Sequence, residues 1–81
     1  FFVYILYSQS SNRLYIGQTN NLDNRLLRHN SGYEPATKNF RPWILLTSFQ
    51  YNSRDEAVKM EKFWKQSNNR RKLRQLIKKN I

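Results

Sequence analysis

The chain has 81 residues, and its 15 lysines and arginines outnumber five acidic residues, for a formal net charge of +10. That length suits one domain, taken as residues 1–81, whose thin core must rest on a few large side chains. With no cysteine, a disulfide framework and a thiolate zinc site are excluded, which suits a reducing cytoplasm.

The longest apolar run, Phe1 to Tyr7, is too short to span a bilayer, and it lacks the flanks of a secretory signal. The expectation is therefore a cytoplasmic protein with no membrane partner. Within that run, Val3-Tyr4-Ile5-Leu6-Tyr7 predicts a first strand, and Leu14-Tyr15-Ile16-Gly17-Gln18 predicts a second. The polar stretch between them reads as a turn, making a β-hairpin. A turn centred near Ser10 and Ser11 sets Tyr4 opposite Gly17 and Leu6 opposite Tyr15. Tyr4 and Tyr15 then share a face as diagonal neighbours, and a slip of one residue would part them.

A first helix is expected from a cap at Asn20 or Asn21 to a stop at Gly32. Leu22 and Leu26 form its apolar stripe, while Arg25 and His29, four apart, project from one flank. Residues 33–43, with Pro35 and Pro42, read as an irregular loop. Trp43 to Tyr51 predicts a third strand, and its apolar first half suggests a central place in the sheet. Ser53-Arg54-Asp55-Glu56 is a capping box opening a helix that carries Ala57, Met60 and Trp64 on one stripe. Asn68 and Asn69 are expected to interrupt it before a last amphipathic segment with Leu73, Leu76 and Ile77 facing inward. The sum is an α+β fold, a three-stranded, mostly antiparallel sheet flanked by about three helices.

After Glu61 no acidic residue follows, whereas Lys62, Lys65, Arg70, Arg71, Lys72, Arg74, Lys78 and Lys79 do. Such a tail is either a solvated basic face or the electrostatic footprint of a phosphate backbone, nucleic acid ranking ahead of membrane. Glu61 fits its surroundings least, since it stands on or beside the apolar stripe of its helix. It needs a partner there. Either it pairs with an arginine of the first helix, or it is an oxygen ligand for a hard divalent cation such as magnesium. Arg25 offers a rigid fork of donors for a phosphate. Tyrosine becomes a useful base only where a cation favours its phenolate. Gly17, inside a strand, implies that a ligand or another backbone comes close.

Taken together, these residues resemble a known family. Val3-Tyr4-Ile5 followed by Tyr15-Ile16-Gly17 is similar to the paired signature of the GIY-YIG nuclease superfamily. The likeness runs on through Gln18-Thr19, Asn21-Leu22, Arg25-Leu26, His29 to Gly32, Thr37-Lys38, Pro42-Trp43, Glu56-Ala57 and Glu61-Lys62. It most resembles the small single-domain bacterial members labelled excinuclease-C-like. The resemblance implies hydrolysis of a DNA phosphodiester with one Mg2+ or Mn2+ ion, in repair or recombination. It gives Tyr15 the activation of water, helped by Tyr4, and gives Arg25 the scissile phosphate. Glu61 matches the metal ligand, His29 a histidine of some members, and Lys38 a basic loop residue. The basic residues Arg70, Arg71, Lys72 and Arg74 complete the expected DNA contacts. Two alternatives stand beside an endonuclease: a nucleic-acid-binding module of the same fold, holding DNA without cleavage or only as part of a larger protein, and a protein-interaction domain. A partner protein or targeting subunit is among the expected partners beside DNA.

Overall fold

Apolar side chains at nearly every position of Val3 to Tyr7 suit a strand covered on both faces, and that stretch takes the centre of the sheet. In this computed structural model the backbone is described for residues 1–80 and the side chains for residues 1–77. The side chains of Lys78 and Lys79 therefore lie outside the described residues. Strand β1, Phe2–Ser8, pairs antiparallel with β2, Arg13–Thr19, on one side and with β3, Ile44–Gln50, on the other. The hairpin register sets Tyr4 opposite Gly17 and Leu6 opposite Tyr15, as the alternation predicts.

The third strand departs from expectation. It lies at an edge, in the order β2-β1-β3, with Ile44 and Leu45 42 % and 38 % exposed. An apolar pair at the start of a strand does not establish that both its faces are covered; β1 has the longer apolar run and takes the centre. A register irregularity between Ile5 and Leu6 lets β3 follow β1 despite one extra residue.

Helix α1, Leu22–Ser31, starts at Asn21, whose side-chain oxygen accepts from the Asn24 N–H at 3.1 Å. It ends at Gly32 with φ 84°, a left-handed turn that favours glycine. The following loop has one 3-10 turn, Lys38–Phe40, and returns the chain to β3. Asn30 pins that return. Its amide donates to the Trp43 carbonyl oxygen at 3.0 Å and accepts from the Trp43 N–H at 2.6 Å, while the Trp43 indole N–H donates to the Thr37 carbonyl oxygen at 2.9 Å. Asn30→Ala removes two part-buried hydrogen bonds at once and is expected to cost about 1–2 kcal/mol, read as a lower urea midpoint.

Helix α2, Arg54–Lys65, opens on Ser53, whose hydroxyl oxygen accepts from the Glu56 N–H at 3.2 Å. The break before helix α3, Ser67–Asn80, comes at Gln66, not at the asparagine pair. Asn68 and Asn69 already belong to α3. Asn69 ties the two helices together, its side-chain amide donating to the Phe63 carbonyl oxygen at 2.7 Å. That bond satisfies a carbonyl at the end of α2, which is why a polar residue is buried there.

Strand alternation divides the apolar side chains between two faces. Val3, Ile5, Tyr7 and Ile16 pack with Ala57 of α2 and Leu73 of α3, with Met60, Trp64, Leu76 and Ile77 against them. Tyr4, Leu6 and Trp43 form the second cluster with Tyr15 and with Leu22 and Leu26 of α1. No helix among the described residues is long and apolar enough to cross a membrane.

Candidate active site

Because Tyr4 and Tyr15 occupy the same face, and α1 covers that face, His29 comes down between the two rings. The ring centroids lie 6.2 Å apart for Tyr4 and Tyr15, 5.7 Å for Tyr4 and His29, and 4.8 Å for Tyr15 and His29. Trp43 closes the back of the cluster, 6.3 Å from Tyr15 in an edge arrangement. Tyr4 and His29 are each 1 % exposed, whereas Tyr15 is half-buried. Tyr15 is therefore the most accessible ring of the three.

The buried polar atoms form one chain of hydrogen bonds. Tyr4 Oη lies 2.9 Å from His29 Nε2, and His29 Nδ1 lies 2.8 Å from Thr37 Oγ1. The Thr37 hydroxyl donates to the Glu34 carbonyl oxygen at 3.4 Å. With that proton committed, Thr37 Oγ1 accepts from Nδ1–H, and Nε2 accepts from the Tyr4 hydroxyl. A neutral imidazole satisfies the whole chain. Electrostatics agree, for burial pushes the His29 imidazole below its ordinary value, Arg25 and Arg28 push the same way, and Glu34 opposes them. Burial likewise pushes the Tyr4 phenol up, with the charges of Tyr15, Glu34 and Glu61 adding to it and Arg25 opposing. Tyr4 is thus held as a hydrogen-bond donor.

The pH dependence follows from His29. Its imidazole stays neutral in the folded chain below the pH at which the unfolded chain takes up a proton. Stability should therefore fall as pH drops from about 6.5 towards the lowered folded value, by up to about 1.4 kcal/mol per pH unit. Glu34, held below the usual carboxylate range first by its hydrogen bond from Arg28, acts in a more acid window. Urea melts between pH 7 and pH 5 should show the decline in wild type. A flat profile in His29→Gln is expected over the same range.

Glycine 17 is the floor beneath Tyr4. A β-carbon there would meet Tyr4 Oη at 2.5 Å, Tyr4 Cζ at 2.6 Å and Tyr15 Cε2 at 3.1 Å. What comes close to this glycine is the Tyr4 phenol, where the sequence pointed to a ligand or another backbone.

Arg25, on the same flank of α1 as His29 but nearer its surface, has its guanidinium 3.9 Å from Glu34, which Arg28 holds more tightly at 3.0 Å. Arg25 also lines a polar cleft with Gln18, Thr19 and Arg54. Glu61 belongs to α2, the helix on the other face of the sheet, and its carboxylate acts electrostatically on Tyr4. Its partner is Lys65, one turn along its own helix at 2.6 Å, with the two side chains 22 % and 52 % exposed. The sequence allows an arginine of α1 in that part. Lys65 takes it because four residues on a helix bring two side chains together without any tertiary constraint.

Among the described residues, no three His, Cys, Asp or Glu side chains gather as a metal cage. Glu61 offers a single hard carboxylate. That fits magnesium or manganese, which keep several waters and need one or two carboxylates, and it does not fit a cation that demands a complete protein shell.

Tyr4, Tyr15 and His29 are brought together by ring contacts and a hydrogen bond, while Arg25 lines a cleft with Gln18 and Thr19, and Glu61 stands on the helix of the opposite face, paired with Lys65. Lys38 is not among them. It lies in the 3-10 turn and lines a separate cleft with Asn30, Asn39, Arg41 and Pro42. Arg70 and Arg74 line a cleft with Tyr15, while Arg71 and Lys72 are exposed elsewhere on α3. Thr37 and Glu34 are members of the site to which the sequence reading assigns no role. Thr37 stands in a loop without periodicity, so no pattern signals its burial. Glu34 carries one signal, being among only five acidic residues in a strongly basic chain.

The three-stranded antiparallel sheet with its three helices is an α+β fold that carries this tyrosine and histidine cluster on one face. The model of the GIY-YIG catalytic domain matches residues 1–74, and the chain belongs to that family. No curated protein and no solved structure gives a significant match.

Proposed function

We propose that the chain is a divalent-metal-dependent DNA endonuclease. The observation that carries this reading is the cluster of Tyr4, Tyr15 and His29 rings on one face of the sheet, in a chain whose residues 1–74 match the GIY-YIG catalytic domain. The buried Tyr4–His29–Thr37 hydrogen-bond chain beside the half-buried Tyr15 ring supports it. The family supports hydrolysis of a nucleic-acid phosphodiester. Service in DNA repair or recombination, a place in the cytoplasm, the excinuclease-C-like subtype and the help of a targeting partner belong to the same proposal.

Glu61 would hold one Mg2+ or Mn2+, which when bound supplies Lewis-acid stabilisation of charge on the phosphoryl oxygens. Arg25 binds the scissile phosphate through paired N–H donors and offsets the charge that builds up as phosphorus becomes five-coordinate. Tyr15 Oη, its own proton having passed to solvent, would take up the proton of the attacking water. Tyr4 and His29, both buried, are positioning residues. They hold the Tyr15 ring against the sheet through the contacts described above.

The test is cleavage of supercoiled plasmid by wild type beside Tyr15→Phe, which removes one oxygen and nothing else. The expected result is a loss of about 10²–10⁴-fold in rate with DNA binding unchanged. Equal rates would remove Tyr15 from the mechanism. A binding module of the same fold remains the second reading, favoured by the +10 charge; it predicts tight, salt-sensitive DNA binding and no cleavage by either protein.

A further inference from the structure

We infer that the cleft between the start of β2 and helix α3 is a second phosphate site, in which Arg13, Arg70 and Arg74 hold a nucleic-acid phosphate next to the one under attack. This deepens the nuclease reading and rests on it for the identity of the polymer.

The cleft measures about 200 Å³, and Tyr15, Phe40 and Trp43 line it with the three arginines. Two of the guanidinium groups are held in place. The Arg13 guanidinium stacks 4.2 Å over the Phe40 ring, which fixes its plane and leaves its edges free to donate. Arg74 donates to Asn12 Oδ1 and to the Asn12 carbonyl oxygen, each at 3.3 Å. Asn12 sits in the hairpin turn with φ 53°, and its Oδ1 also accepts from the Tyr7 hydroxyl at 3.2 Å, so the anchor is itself tied down.

None of the five acidic side chains lines this cleft. Three guanidinium groups from two elements therefore face one space without a counter-charge, and their mutual repulsion is relieved when an anion enters. Arg13 and Arg70 suit the tetrahedral oxygens of a phosphate, which each can meet with two parallel donors, while Arg74, bonded to Asn12 through both terminal nitrogens, adds positive charge. A nucleobase is the poorer occupant, because Arg13 covers the Phe40 face and Trp43 is buried.

Position supplies the link to catalysis. Tyr15 is a wall of this cleft, and Arg70 also lines the adjoining one with Tyr15 and Lys65. Basic groups thus run from Lys65 through Arg70 to Arg13 and Arg74 along the free edge of β2, past the ring proposed to activate water. A phosphate backbone laid along that edge places one phosphate at Tyr15 and its neighbour in the arginine cleft. Arg71 and Lys72, although on the same helix, do not line it.

Two readouts test this on the full chain with EDTA present, so that no cleavage intervenes. The first is titration with inorganic phosphate, followed by the arginine side-chain N–H signals in NMR. The second is the salt dependence of binding to a short duplex, for wild type, Arg13→Gln/Arg70→Gln and Arg71→Gln/Lys72→Gln, which remove equal charge. Phosphate is expected to shift the Arg13 and Arg70 signals saturably. The first double variant should reduce the slope of log affinity against log salt by about 1, because both arginines serve one phosphate, and the second by less than half of that. Arg13→Lys/Arg70→Lys, which keeps charge but loses the paired donors, should restore the slope without restoring full affinity. Equal slope losses in the two glutamine variants, or unmoved Arg13 and Arg70 signals, would overturn the inference. If phosphate shifts both arginines while wild type with Mg2+ neither binds nor cuts DNA, the phosphate site stands and the nuclease reading falls.

Discussion

Glu61→Gln is expected to bind DNA as wild type does and to cut it at least about 10³-fold more slowly. The substitution keeps shape and removes charge. Its structural cost should be small, because the bond it breaks is a partly exposed ion pair to Lys65 within one helix, worth about 0–1 kcal/mol. Its chemical cost should be large, because Glu61 is the carboxylate proposed to hold the ion, and metal stabilisation of a phosphoryl transition state is worth several kcal/mol, about tenfold in rate for each 1.4. Parallel measurement of melting temperature, duplex affinity and cleavage rate separates the two costs. A Glu61→Gln protein that melts normally and cuts normally would place the ion elsewhere.

Gly17→Ala should damage fold and activity together. The added methyl group would lie far inside contact distance of the Tyr4 hydroxyl and ring carbon, and the ring has no room to retreat because it is buried and tied to His29. Overpacking of this kind costs about 1–3 kcal/mol. Displacement of Tyr4 also breaks the hydrogen-bond chain to Thr37 and unseats the floor of Tyr15, so cleavage should fall more than the folded fraction does. A double-mutant cycle isolates the cause. Gly17→Ala should cost less in a Tyr4→Leu background, where the displaced ring is gone. Equal costs in both backgrounds would contradict the steric origin.

Much of this architecture can be read from the residues because the relevant patterns are local and periodic. The register of β1 and β2 follows from alternation, since a one-residue slip would send Tyr15 to the opposite face from Tyr4. Asn21 and Gly32 bound α1 through cap chemistry that acts over three or four residues. What the residues do not reveal is non-local. The edge position of β3 depends on competition with β1 for the centre, which no window of sequence records. The depth of His29 depends on how α1 tilts onto the sheet, so a residue four from Arg25 could equally have pointed outward. Lys38 joins the site only through resemblance, and the path of the 33–43 loop, fixed by Asn30 and Trp43, carries it to another cleft. Arg13 draws no notice in the sequence because a basic residue at a turn usually serves solubility, and only the folded chain brings Phe40 and α3 to it.

The central claim is that one divalent ion, Tyr15 and Arg25 act together on a DNA phosphodiester. The most direct measurement is nicking of supercoiled plasmid by the wild-type chain at fixed ionic strength, with Mg2+ or Mn2+ titrated in and then removed by EDTA. The claim predicts open-circular product that rises saturably with either ion and stops when the chelator is added. Binding of the plasmid without any nicking, or nicking that continues unchanged in EDTA, would contradict it.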